Sequence, residues 1–372
     1  MYYENRKEKR REKIISYFFM TVIILLLCTL ILKLDNSGMS QAESNYETNK
    51  LLVEKSDNSL ETDKYNIIEN AVKSIVGISK LQQMGNAIFL DDAERKLGLG
   101  SGIILTENGY ILTNQHVAGN KYSNCYVTLE NGETFTGNVV WADSNIDLAI
   151  VKINTTNLNY LKLADSDKIR LGEDVFAIGN PIGFEFQRTV TKGIISGINR
   201  TIKIEEDDMA YMEDLIQTDA TINEGNSGGA LINEKGELIG VNSIKISSAE
   251  AIGFAVPINI IKPIIENLIQ TGSFEEAYLG IYGYDKEVIP YLDGSLKISS
   301  GVYIAAIMPD GPIKKSEILE GDIITAVDDI KIDKMNDLKK YVYSKKPRDV
   351  VVLTIKRKTR EFMVNITLES KI

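Results

Sequence analysis

The chain has 372 residues, of which 44% are hydrophobic and 25% are charged, and its formal net charge is −10. This composition allows two folded domains with real cores and excludes a wholly disordered or collagen-like chain. The acidic balance argues against a nucleic-acid partner, two cysteines cannot form a disulfide scaffold, and a single histidine excludes every multi-histidine metal site.

The N-terminal segment has the pattern of a membrane anchor. Residues 14–32 are uncharged, and at about 1.5 Å per residue they nearly span a hydrocarbon core of about 30 Å. Basic residues precede this run and acidic residues follow it. The positive-inside rule therefore predicts a cytoplasmic N-terminus at 1–13, a single transmembrane helix at 14–34, and the rest of the chain outside the cell membrane. A signal peptide cleaved near residues 40–42 is the alternative, and the length of the apolar run argues against it.

The region after the anchor changes from polar to strand-rich. Residues 35–64 are polar and without periodicity, which predicts a flexible tether. A short helical stretch at 65–73 follows, and then short apolar runs separated by Gly, Asn and Asp extend to about residue 257. The dipeptide Asn131-Gly132 between two alternating segments predicts a β-hairpin. Strands at this spacing, with almost no helical periodicity between them, indicate barrels or sandwiches, and not βαβ units.

A second domain begins near residue 273. A helix at roughly 258–270, ended by Gly272, closes the first domain, which we place at 65–272. Downstream, strand-like runs alternate with two helix-like segments at 312–319 and 334–344. We therefore expect a compact α+β domain at 273–372, in a chain that is mainly β.

Three short segments carry residues with catalytic potential: TNQHV with His116, DSNIDLA with Asp147, and EGNSGG with Ser227. A serine hydroxyl becomes a nucleophile when an imidazole accepts its proton, and a carboxylate fixes the tautomer of that imidazole. The chain order His, Asp, Ser is that of chymotrypsin-like enzymes and differs from the orders of α/β-hydrolases and subtilisins. The glycines allow an oxyanion hole at Gly225, Asn226 and Ser227, in which the N–H groups of Gly225 and Ser227 converge.

Each of these segments has another reading when it is taken alone. A lone histidine is commonly an ordinary polar residue, and Asp147 could be a turn residue before a strand. Residues 225–229 also fit the G-x-S-x-G pattern of an esterase. That pattern requires a strand–turn–helix context, whereas the residues after Ser227 read as a hairpin.

The same segments resemble the HtrA/Deg (high-temperature requirement) serine proteases. QTDATINEGNSGGALIN, GNPIG at 179–183 and IGFAVP at 252–257 match the pattern of that family. The C-terminal domain is similar to its PDZ domain, through YLGI at 278–281 and GVYIAAIMPDGPIKKSEILEGDII. Glu224 and Ala230 stand where the family commonly has Pro, which affects the rigidity of the loop and no reacting group.

The resemblance implies a chymotrypsin-like double β-barrel followed by a PDZ domain, over about residues 65–372. It implies that His116 is the general base, that Asp147 orients it and that Ser227 attacks. It further implies a homotrimer that degrades unfolded or misfolded extracytoplasmic proteins and uses no cofactor, metal or ATP.

The resemblance also implies two substrate surfaces. In the protease domain, a strand would pair with the substrate backbone and apolar residues would favour small or medium aliphatic side chains; these residues are Asn242, Ser243, Ile244, Ile252 and Phe254. In the PDZ domain, C-terminal peptides would bind at Tyr278, Leu279, Gly280 and Ile281.

Two other features leave alternatives open. A PDZ adaptor whose protease domain is only a scaffold would have been favoured by the loss of a triad residue, and none is lost. The acidic run at 205–208 is read as a solvated face in preference to a metal or activation site.

Overall fold

The computed structural model describes residues 20–21, 58–81, 97–180, 189–204, 211–223, 225–243, 251–292 and 296–371. The chain divides into two compact units, Met1–Glu61 and Thr62–Ile372. Met20 and Thr21 are helical, and the rest of the expected anchor and the expected tether up to residue 57 lie outside the described residues. Within the described part, no helix is long and apolar enough to cross a membrane.

The first described helix, α1 (Asn58–Val72), starts ahead of the helix expected from residue 65. Asn58 and Ser59 are residue types that favour helix starts. At the other end of α1, Ala71 is buried, and Ile68 and Val72 pack against the same apolar cluster. This packing fixes the C-terminal part of the helix on the strand-rich domain that follows it.

Six of the described strands close into a first barrel, in the order β1-β2-β3-β6-β5-β4. They are β1 (Ile75–Leu81), β2 (Leu97–Ile104), β3 (Tyr110–Thr113), β4 (Asn124–Thr128), β5 (Thr134–Asp143) and β6 (Leu148–Lys152), with the short helix α2 (Gln115–Ala118) between β3 and β4. The hairpin expected at Asn131-Gly132 is confirmed, since β4 and β5 pair across it and Gly132 has φ +86°. Along β4 the side chains alternate between exposed and buried, as expected for a barrel wall.

A second closed barrel follows, in the order β10-β11-β12-β9-β8-β7. Its strands are β7 (Asp174–Gly179), β8 (Thr189–Lys203), β9 (Tyr211–Thr218), β10 (Ala230–Asn233), β11 (Leu238–Ser243) and β12 (Gly253–Pro257). One apolar cluster takes side chains from both barrels, among them Leu112, Ile150, Ile178 and Val241. The two barrels therefore share a continuous apolar core.

The helix α3 (Lys262–Thr271) ends as expected, at Gly272 in the left-handed region with φ +74°. The following domain contains β13 (Ala277–Tyr278), β14 (Ile281–Tyr284), α4 (Ile289–Leu292), β15 (Val302–Ile307), β16 (Ile323–Val327), β17 (Ile330–Lys331), α5 (Met335–Tyr343), β18 (Val350–Arg357), β19 (Arg360–Thr367) and β20 (Glu369–Ser370). Its main sheet has the order β14-β15-β16-β18-β19, with β17 beside β16, and β13 pairs with β20.

Of the two helices expected in this domain, one is an α-helix and one is shorter. The segment 334–344 forms α5, which confirms the expectation. The segment 312–319 forms only a 3₁₀ helix, Pro312–Lys315. Ser316 leaves the helical region, and its hydroxyl donates to the Ile313 carbonyl at 2.7 Å. Such local side-chain bonds compete with helix propagation.

The α5 helix and the segment before β13 pack against the two barrels. The Tyr343 hydroxyl donates to Asp143 at 2.6 Å, and the Trp141 ring N–H donates to Glu276 at 3.1 Å. Lys334 forms an ion pair with Asp214 at 2.6 Å. Hydrogen bonds and ion pairs of this kind fix the relative orientation of the two domains within the Thr62–Ile372 unit.

Candidate active site

His116 is carried by the helix α2, which begins immediately after β3. Asn114 stands before the helix in an extended conformation, with φ −78° and ψ 148°. The imidazole is about one-third exposed, with a side-chain accessibility of 33%. The ring is therefore partly open to solvent.

Asp147 lies in the turn between β5 and β6 and is fully buried. Its backbone is left-handed, with φ +51°, a conformation that is uncommon for a residue with a side chain. The Asp147 carbonyl accepts the Gln115 N–H at 3.1 Å, and the Asp147 carboxylate accepts the His116 N–H at 3.1 Å. The Ser243 hydroxyl donates to the second carboxylate oxygen at 3.2 Å. These bonds hold the strained turn and aim the carboxylate.

The three residues form a connected relay. The His116 Nδ1 atom lies 3.0 and 2.8 Å from the two carboxylate oxygens of Asp147. The His116 Nε2 atom lies 3.2 Å from the Ser227 hydroxyl. A carboxylate accepts only, so Nδ1 carries the ring proton and Nε2 is free to accept the serine proton. This arrangement can activate a hydroxyl for attack on a carbonyl carbon.

The loop of Ser227 is held by a residue that the sequence did not suggest. The Ser101 N–H donates to the Ser227 carbonyl at 2.8 Å, and the Ser101 hydroxyl donates to the Gly225 carbonyl at 2.9 Å. Gly228 has φ +78°, and a Cβ atom there would lie 2.3 Å from the Ser101 carbonyl oxygen. Only glycine fits this close approach, which explains its presence after Ser227.

Two N–H groups of the expected oxyanion hole already donate hydrogen bonds within the loop. The Gly225 N–H donates to the Asn223 side chain at 3.1 Å, and the Asn226 N–H donates to the Asn223 carbonyl at 3.0 Å. The Ser227 carbonyl accepts the Ser101 N–H, and this bond fixes the peptide that joins Ser227 to Gly228. For Gly225 to face a developing oxyanion, its bond to Asn223 has to break.

The residues expected to contact substrate divide into inward and accessible groups. The Asn242 side chain is fully buried and donates to the Ala230 carbonyl at 3.0 Å. Phe254 is buried in the shared core, whereas Ile252 is half-buried at its edge. Ser243 is buried and bonds Asp147, and Ile244 lies outside the described residues. The side chains of Asn242 and Phe254 are therefore enclosed in the domain, and among the described members of this set Ile252 is the one that stays partly exposed.

In the C-terminal domain, the segment from Tyr278 to Ile281 joins β13 to β14. Gly280 has φ +76°, and a Cβ atom there would lie 2.4 Å from the Gly311 Cα atom. Leu279 is buried in the core of this domain, and Ile281 packs against that core. The turn therefore needs glycine, and its apolar side chains pack on the core of this domain.

Two family comparisons agree with this geometry. Residues 100–241 match the trypsin-like peptidase domain family, and residues 277–368 match the PDZ domain family.

Relatives and solved structures are similar over most of the chain. The chain is 36% identical to the serine protease Do-like HtrB of Bacillus subtilis (strain 168), over 81% of this chain and 70% of that protein. It is 37% identical to the Do-like HtrA of the same strain, over 82% and 72%. It is 34% identical to the periplasmic pH-dependent serine endoprotease DegQ of Escherichia coli (strain K12), over 73% and 60%. The structure of the HtrA-type protease AlgW with tripeptide superimposes with a TM-score of 0.61 at 30% identity, over 83% of this chain and 97% of that one.

Proposed function

The chain belongs to the HtrA family of trypsin-like serine endoproteases with a PDZ domain, and from this premise we propose that it degrades unfolded or misfolded proteins outside the cytoplasm. The observation that carries the proposal is the relay of Asp147, His116 and Ser227, with contacts of 2.8 and 3.2 Å.

In the proposed mechanism, the Ser227 oxygen attacks the scissile carbonyl carbon while His116 takes the hydroxyl proton. His116 then gives this proton to the leaving amine as the C–N bond breaks, and an acyl-enzyme remains. Water attacks the acyl group in the same way and regenerates Ser227. Asp147 stays ionised and stabilises the imidazolium.

The oxyanion of each tetrahedral intermediate would be held by the N–H groups of Gly225 and Ser227, in the loop that contains Asn226. The glycine at 228 and the bonds of Ser101 support this role, because they fix the loop on one side of the nucleophile. Release of the Gly225 N–H from Asn223 completes the donor pair.

Substrate would pair with the strand end at Asn242, Ser243 and Ile244 through its backbone, and Ile252 would favour small or medium aliphatic side chains. Peptide C-termini would bind the PDZ domain at the turn from Tyr278 to Ile281. The left-handed conformation of Gly280 supports this, because such a residue allows successive backbone N–H groups of a loop to point at one anion.

We place the catalytic and PDZ domains outside the cell membrane, tethered by a transmembrane helix at 14–34 with a cytoplasmic N-terminus, and assembled as a homotrimer. The charge asymmetry around the apolar run supports the topology. The relative DegQ is named a periplasmic endoprotease, which supports the extracytoplasmic location.

The test compares the full-length chain with its Ser227→Ala variant on one protein substrate, supplied unfolded and folded. We expect the wild type to cleave the unfolded form preferentially and the variant to cleave neither form. A fluorophosphonate probe should label the wild type and leave the variant unlabelled. Cleavage that survives Ser227→Ala would overturn the proposal, and hydrolysis of ester but not peptide substrates would favour the esterase.

A further inference from the structure

Asn114 lies between the three triad residues and has no role in the relay described so far. Its side chain is fully buried and makes two hydrogen bonds. The amide nitrogen donates to the Asp147 carbonyl at 2.9 Å, and the amide oxygen accepts from the Ser227 hydroxyl at 2.9 Å.

The orientation of this amide follows from its partners. The Asp147 carbonyl oxygen can only accept a hydrogen bond, so the NH₂ group of Asn114 has to face it. The amide oxygen of Asn114 then has to face Ser227. Because that oxygen accepts only, the Ser227 hydroxyl is the donor in this contact.

The Ser227 hydroxyl consequently has one proton and two acceptors. The Asn114 oxygen lies at 2.9 Å and the His116 Nε2 atom at 3.2 Å. The shorter contact is to Asn114. Attack on a substrate requires the proton to pass to His116, which breaks the bond to Asn114 and leaves a buried oxygen without its donor. An interaction present only in the ground state raises the barrier to reaction.

We propose that Asn114 is a positioning residue that holds the Ser227 proton away from His116 in the substrate-free enzyme. This inference rests on the proposed function, since it takes Ser227 and His116 as the catalytic pair. The Asp147 carbonyl keeps the Gln115 N–H as a second donor, so this turn retains a backbone bond when the Asn114 amide is removed.

The single histidine of the chain allows a direct measurement. In the full-length protein labelled with ¹⁵N-histidine, the only Nε2 signal belongs to His116, and its chemical shift reports whether Nε2 accepts a hydrogen bond. We compare the effect of Ser227→Ala on this shift in the wild type and in an Asn114→Ala background. The proposal predicts a small effect in the wild type and a clearly larger one in the Asn114→Ala background, where the hydroxyl turns to His116.

A kinetic measurement tests the same point independently. A small fluorophosphonate forms a bond between phosphorus and the Ser227 oxygen as fluoride leaves and the proton passes to His116. We expect Asn114→Ala to raise the second-order rate of this reaction about two- to tenfold, which corresponds to a hydrogen bond worth about 0.5–1.5 kcal/mol. Asn114→Leu fills the volume without an acceptor and should act in the same direction. Asn138→Ala, at an exposed asparagine on β5, is the matched control and should leave the rate unchanged.

The outcomes separate this inference from the proposed function. If the wild type is not labelled, or Ser227→Ala is labelled as well, the proposed catalytic pair is wrong. If the wild type is labelled but both Asn114 variants react at the same rate or more slowly, the inference is wrong. Equal effects of Ser227→Ala on the Nε2 shift in both backgrounds would overturn the inference as well.

Discussion

Because of Glu213, the free energy of unfolding of the protein should decrease as the pH rises. This residue lies on β9 beside the α5 helix, and its buried Oε1 atom has no hydrogen-bond partner among the described residues. Burial, together with the nearby charges of Asp285 and Asp214, raises the pKa of Glu213 to about 8 against the opposing charge of Lys339. The carboxyl group is therefore protonated in the folded chain at neutral pH.

The direction of the effect follows from proton binding. In the unfolded chain a glutamate has a pKa near 4.5, so between that value and about 8 the folded state holds a proton that the unfolded state has lost. Stability is full below this window and is lost as the pH rises through about 8. Since one pKa unit corresponds to about 1.4 kcal/mol, the loss has an upper limit of about 5 kcal/mol.

The Glu213→Gln variant cannot ionise and should escape this loss. We expect it to match the wild type at pH 4 and to be more stable by at least about 1 kcal/mol at pH 8.5. Urea unfolding followed by tryptophan fluorescence measures this, because the only tryptophan, Trp141, is buried at the contact with the PDZ domain.

The matched control is Glu107→Gln, at an exposed glutamate of the first barrel, which should leave the pH dependence of wild-type unfolding in place. If Glu213→Gln and the wild type lose stability in parallel between pH 5 and 8.5, the reasoning about the buried carboxyl group is refuted.

Three further predictions follow from the sites. Ser227→Ala and His116→Ala should each lower turnover on the order of 10⁶-fold, and the double variant should be scarcely worse, because the two act as one unit; additive losses in a peptidase assay would contradict the shared proton. In titrations of the inactive Ser227→Ala chain, amidating a peptide's C-terminus should weaken binding roughly ten- to a hundredfold, and Gly280→Val should do the same by displacing the facing loop; equal titration curves for the free acid and the amide would exclude a carboxylate pocket. Tyr343→Phe removes a donor from the buried Asp143 carboxylate and should cost about 1.5–3 kcal/mol in urea unfolding, whereas an unchanged midpoint would show that the bond contributes nothing.

The architecture could be predicted from local signals. The hairpin at Asn131-Gly132 and the helix end at Gly272 are decided by backbone conformations that few residues adopt, so the sequence alone marks them. The chain order of histidine, aspartate and serine likewise predicted which side chains come together. The helix that begins at Pro312 ends earlier than the sequence pattern predicts, and helix propensity does not register the hydroxyl bond that Ser316 makes at its end.

The finer contacts of the site could not be predicted. The bond between Asn114 and Ser227 joins residues 113 positions apart and depends on which way an amide is turned. The Gly225 N–H was expected to face an oxyanion, but the bond to Asn223 is a property of the loop's conformation and not of its composition. The side chains of Asn242 and Phe254 are both buried. A strand of one barrel that also faces the other barrel can be buried on both faces, and the alternation of residues along the sequence does not reveal this.

The boundary between the two domains is sharper in the sequence than in the packing. Phe274 and Tyr343, both beyond Gly272, belong to the same buried apolar cluster as the protease barrels. Cutting the chain at the boundary would expose part of that cluster on one fragment and leave these aromatic rings without a counterpart on the other. The two domains should therefore melt as one cooperative unit, and the fragments should be less stable apart than together.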